Sequence, residues 1–126
     1  MADEKSREMT ILAYHALEDK KAADISVIDI GHVSVIADYF LIASGENRNQ
    51  VQAMADHVSE TLGKAGFVPK DTEGYQNANW VLLDFSDLIV HIFDRENRLF
   101  YDLERIWRDG RQVTIEELSD SQAEEK

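Results

Sequence analysis

Cysteine is absent from the 126 residues. That removes disulfides, thiolate metal sites and thiol nucleophiles together. Proline occurs once, at position 69, where it is best tolerated near a strand start or a sheet edge. Basic residues are scarce: 13 Lys and Arg stand against 25 Asp and Glu, a net charge of −12. The basic footprint of a direct nucleic-acid binder is missing. An acidic chain suits a basic protein partner, because opposite fields speed encounter; acidity that serves solubility alone is the competing reading. No apolar run approaches the ~20 residues of a membrane span. The start, MADEKSREM, is charged and lacks the apolar stretch of a secretory leader. A cytoplasmic protein is expected.

What is present fits one domain with a core that buries roughly two thirds of the unfolded surface. Met9, Leu12, Ala13, Ala16 and Leu17 form one apolar stripe and predict a helix over 5–22. DISVIDI predicts a β-branched strand over 25–30, and FLIA a strand over 38–43 whose continuous apolarity implies cover on both faces. Asn47 or Asn49 can cap a second helix that runs to Lys64 on Val51, Met54, Ala55, Val58 and Leu62, with Gly66 as its stop. A strand is expected at Phe67-Val68, and a turn at residues 74–77. A third helix is expected over 98–108. Thr114 and Glu117 have capping-box spacing and can open one helical turn. The acidic residues 111–126 read as a partly disordered C-terminal tail to a domain of residues 1–110. Helices interleaved with strands indicate an α/β, α+β-layered fold: a mixed five-stranded sheet packed by helices.

The most informative stretch is WVLLDFSDLIVHIF, residues 80–93. With a turn on Ser86-Asp87, Trp80 stands opposite Phe93, Leu82 opposite His91 and Asp84 opposite Ile89. Val81, Leu83, Phe85, Leu88, Val90 and Ile92 then share the other face. That second face is wholly apolar and belongs under helices. The first mixes Trp, His and Asp with aliphatic groups. It reads either as a partner surface around Trp80 or as a second core layer with His91 neutral and hydrogen-bonded.

Chemistry is hard to place. His15, His32, His57 and His91 lack HxH or HExxH spacing, so no metal is expected. Ser44-Gly45 lies between a strand and a helix, where an anion can bind, yet neither a Walker A nor a GxGxxG motif is present. Asp84 and Asp87 flank a turn, and Asp94 and Glu96 lie at a strand end. Neither pair projects side by side to hold magnesium against a triphosphate. No enzyme is expected and no cofactor; a degenerate nucleotide-binding protein or enzyme using Ser44-Gly45 is the alternative.

Four ordered blocks, ADYFLIASG (37–45), ADHVSETL (55–62), EGYQNANWVLLDFSDLIVHIF (73–93) and FYDLERIW (100–107), together resemble the ribosomal silencing factor family, the Iojap-like proteins, and the chain looks like a bacterial member. The resemblance spans about residues 5–108. It implies a nucleotidyltransferase-related topology without catalytic carboxylates. It further implies binding to the large ribosomal subunit through ribosomal protein fourteen, steric blocking of subunit joining under nutrient limitation, and a homodimer when free. On the same basis the partner-binding residues are Trp80, with Glu73 and Gly74 before it, Leu82 and Asp84 in its block, and His91 and Tyr101 further on. Leu103 and Glu104 also match the pattern. Ser86 stands where the family often has Gly.

Overall fold

A computed structural model describes residues 4–32, 35–96 and 110–124. The first helix, α1 (Glu4–Asp19), and the second, α2 (Arg48–Lys64), lie on one face of a six-stranded sheet. The strands are β1 (Ala23–Asp29), β2 (Tyr39–Gly45), β3 (Asp71–Glu73), β4 (Trp80–Asp84), β5 (Leu88–Asp94) and β6 (Arg111–Val113). Their spatial order is β3-β4-β5-β2-β1-β6. Among the described residues only the β2–β5 pair is parallel; the other four pairings are antiparallel. This is the mixed α/β layer architecture that the helix–strand alternation indicates.

Each helix forms for the expected reasons. Asn47 caps α2, its side chain accepting the Gln50 backbone N–H at 2.9 Å. Val51, Met54, Ala55, Val58 and Leu62 are its buried stripe. Gly66, at φ +93°, ends it in the left-handed region. On α1 the buried residues are Ser6, Arg7, Met9, Thr10, Ala13, Ala16 and Leu17. The Thr10 hydroxyl donates to the Ser6 carbonyl at 2.7 Å and is satisfied within the helix.

Three expectations are corrected. Phe67-Val68 is not a strand: Val68 is 76% exposed, and the strand lies at Asp71–Glu73. The sheet has six strands rather than five, because Arg111–Val113 pairs with β1 as an edge. Residues 111–124 are therefore not a loose tail. After β6 the chain enters a ten-residue helix, α3 (Ile115–Glu124), and Leu118 is buried in the core shared by α1 and α2. The capping box at its start forms as read: Glu117 N–H donates to Thr114 Oγ1 and Thr114 N–H to Glu117 Oε1, both at 3.1 Å. The expected helix over 98–108, with Tyr101, Leu103 and Glu104, lies outside the described residues.

The sheet separates two apolar layers. Val81, Leu83, Phe85, Leu88, Val90 and Ile92 join β2 and the helices in the larger one. Ile28, Ile30, Ala37, Phe40, Ile42, Ile89 and Phe93 form a second cluster on the opposite face, with Trp80 and Leu82 packed against it half-buried.

Candidate partner-binding site

The hairpin register is the expected one. Trp80 pairs with Phe93, Val81 with Ile92, Leu82 with His91, Leu83 with Val90 and Asp84 with Ile89. Phe85 N–H donates to the Leu88 carbonyl at 2.9 Å, which leaves Ser86-Asp87 as the two-residue turn. Ser86 sits at φ +74°, its N–H held by Asp84 Oδ1 at 2.8 Å. Glycine adopts that backbone more cheaply than serine.

The mixed face proves to be two regions. β5 is flanked by β4 and β2, so its share of the face is interior. His91 is 4% exposed, Ile89 and Phe93 are buried, and the Phe40 ring meets the His91 ring edge-on at 4.7 Å between centroids. His91, expected as a direct partner contact, is thus a core histidine. Burial pushes its pKa down to about 4, so it is neutral at physiological pH. Trp80 Nε1–H donates to His91 Nδ1 at 3.1 Å, which places the remaining imidazole proton on Nε2. Nε2 finds no acceptor among the described residues.

Toward the outer edge the face opens. Trp80 and Leu82 are half-buried, and Trp80 lies on Phe93 with the ring centroids 5.2 Å apart. Beyond β4 runs β3, exposed along its length. Asp71 stands opposite Asp84, and Glu73 opposite Leu82, so all three carboxylates lie on the Trp80 side of the sheet. A hydrogen bond with Asp71, then the charges of Asp71 and Asp84, raise the Glu73 carboxyl above its ordinary value. Carboxylates crowded in this way favour a basic partner. Asp71 was not among the expected site residues. Asp71-Thr72-Glu73 is polar and exposed throughout, so no apolar alternation marks it as a strand in the sequence.

Gly74 is exposed and sets the shape of the chain before Trp80. It lies at φ +77°, and a Cβ there would overlap the Trp80 carbonyl oxygen. The loop that follows is tied to α2: Gln52 Nε2 donates to the Tyr75 carbonyl at 2.9 Å, and the Tyr75 hydroxyl to Asp56 at 3.0 Å. Ala78 N–H closes back on the Gly74 carbonyl, and Asp94 N–H reaches the Asn79 carbonyl. Trp80 therefore begins its strand from a fixed point.

At the Ser44-Gly45 junction the chain itself supplies acceptors to two backbone N–H groups: Asn47 Oδ1 accepts from Gln50 N at 2.9 Å and Gln50 Oε1 from Glu46 N at 2.7 Å. The Glu46 carboxylate stands at the same place, paired with Arg95 at 3.1 Å. A triphosphate would have to displace these groups and meet a negative charge.

A family model described as "Ribosomal silencing factor during starvation" matches residues 3–126. The chain belongs to the ribosomal silencing factor family. It is 39% identical over 111 residues to a ribosomal silencing factor of Halalkalibacterium halodurans, covering 88% of this chain and 95% of that one. It is 41% identical over 99 residues to that of Bacillus subtilis, covering 79% and 84%. The chloroplastic Iojap protein of Arabidopsis thaliana is 28% identical over 114 residues, 90% of this chain and 47% of that longer one. A crystal structure from Chromobacterium violaceum superposes with a TM-score of 0.79 at 33% identity, over 86% of this chain and 89% of that one. One from Bacillus halodurans gives 0.77 at 36% identity, over 86% and 98%. Membership supports a ribosome-associated silencing role in translation, and the family is named for silencing rather than for a reaction.

Proposed function

We propose that this ribosomal silencing factor homologue binds the large ribosomal subunit through its ribosomal protein fourteen and blocks the small subunit from joining. The reading rests chiefly on the outer part of the mixed face, where half-buried Trp80 and Leu82 adjoin Asp71, Glu73 and Asp84. An aromatic anchor beside an acidic rim fits a basic protein surface. The indole would enter an apolar patch on the partner and provide most of the affinity. The carboxylates would meet Lys and Arg, which mainly raises the association rate and sets orientation.

Inhibition then requires no bond to be made or broken. A factor seated where the small subunit docks lowers the concentration of joinable large subunits by mass action. Its natural setting is the cytoplasm of a nutrient-limited cell. A free homodimer that buries the same Trp80 edge would compete with the ribosome, so apparent affinity would weaken as protein concentration rises.

The experiment is a subunit-joining assay on sucrose gradients. Purified small and large subunits are mixed with the protein, with and without excess isolated ribosomal protein fourteen. The factor should travel with the large subunit and deplete joined ribosomes, and the added ribosomal protein should reverse both effects. Movement with the small subunit, or joined ribosomes undiminished by bound factor, would count against the proposal.

A further inference from the structure

Burial denies His91 a direct partner contact, yet its chemistry still reaches the exposed edge. It is 4% exposed, on a central strand, between the edge-on Phe40 ring and Phe93, whose ring lies nearly parallel at 6.5 Å. A histidine there has a poor claim as a packing residue. Its Nε2–H has no acceptor among the described residues, and an unmet buried donor is destabilising. A leucine or phenylalanine would fill a comparable space without that penalty. What an aliphatic or phenyl side chain cannot do is accept a hydrogen bond. Nδ1 accepts one, from Trp80 Nε1 at 3.1 Å, across the strand pair and diagonal to the register.

We infer that His91 is a positioning residue, which fixes the indole of Trp80 in the orientation it offers to the partner. Among the described residues, two restraints act on the ring. Phe93 supports its face at 5.2 Å, and the Nε1–Nδ1 bond prevents it from turning about its side-chain torsions. A half-buried tryptophan held in this way has less rotamer freedom to lose on binding. The inference rests on the proposed role of Trp80 for its effect on affinity, but not for its effect on the indole itself.

The test pairs a free-protein readout with a binding readout. Asn Oδ1 stands where His Nδ1 stands, so His91→Asn keeps the acceptor and His91→Leu removes it. In the free protein, hydrogen exchange of the Trp80 indole N–H, assigned by its loss in Trp80→Phe, should be faster in His91→Leu and close to wild type in His91→Asn. Affinity for purified large ribosomal subunits should fall about tenfold in His91→Leu, the scale of one hydrogen bond, and recover to within about threefold in His91→Asn. In a Trp80→Phe background, which cannot donate, His91→Leu should cost no further affinity. That comparison decides the matter even if the asparagine variant is unstable. Unchanged indole exchange in His91→Leu, or an equal loss of affinity with and without the Trp80 donor, would overturn the inference. If the wild-type protein fails to bind large subunits, the proposed function falls, and indole exchange alone decides the role of His91.

Discussion

Gly74 lies so close to Trp80 that a single added methyl group would overlap the tryptophan's carbonyl oxygen. The contact is between backbones, so no rotamer change relieves it. Gly74→Ala should therefore destabilise the protein by about 2 kcal/mol or more, from the left-handed φ and the overlap together. Gly63→Ala is the control. Gly63 is exposed near the end of α2, and a Cβ added there would meet nothing within 4 Å. That variant should gain about 0.5–1 kcal/mol. Urea midpoints measure both. Equal and small effects would mean that the 74–79 loop gives way more easily than its anchors to α2 imply.

Ser86→Gly should stabilise the hairpin. Ser86 holds φ +74° at the two-residue turn, where a side chain costs about 0.5–1 kcal/mol relative to glycine. The Asp84 acceptor for its N–H is unaffected by the change. A rise in urea midpoint with an unchanged m-value is expected. A fall would show that the serine side chain contributes more than the strain costs.

Protonation of His91 sets an acid limit on stability. Its folded pKa is pushed from 6.5 to about 4 by burial. Between those values the unfolded chain binds the proton and the folded protein does not, so stability rises with pH. The contribution is complete above about pH 6.5 and is lost as pH falls toward 4, about 3 kcal/mol in all at ~1.4 kcal/mol per unit. Wild type and His91→Phe should thus have stability curves that diverge over pH 6.5 to 4, the variant being flatter. Parallel curves would mean that His91 titrates normally.

The acidic rim should act on association. Glu73→Lys reverses one charge beside Asp71 and Asp84 without touching the core, since Glu73 is exposed. The association rate with large subunits should drop severalfold at low salt and converge with wild type at high salt, while dissociation changes little. A change confined to dissociation would instead place Glu73 in a desolvated contact.

The hairpin was legible in the sequence because alternation and a polar dipeptide turn fix register jointly; a one-residue slip would have put Leu83 and Val90 outside the helix-covered core. The edge strands were not. β3 is short and exposed on both sides, and β6 is exposed except for Val113, so neither carries the apolar period that marks a strand. Phe67 and Val68 carry the right residue types for a strand, but they lie in irregular chain just after the turn that ends α2. At the candidate site, the shared face of Trp80, Leu82 and Asp84 could be read, whereas Asp71 and the placing of His91 could not. A partner surface and a second core layer have the same composition. Only the position of β5 between β4 and β2 separates them.

The central claim is that Trp80 is the anchor on the large subunit. Wild type and Trp80→Ala, each first shown to be folded by far-UV circular dichroism, are pelleted with purified large subunits over a concentration series. The account predicts that wild type pellets with the subunits and that the variant loses at least about 2 kcal/mol of binding free energy, roughly thirtyfold in affinity. A folded Trp80→Ala variant that pellets as well as wild type would contradict it.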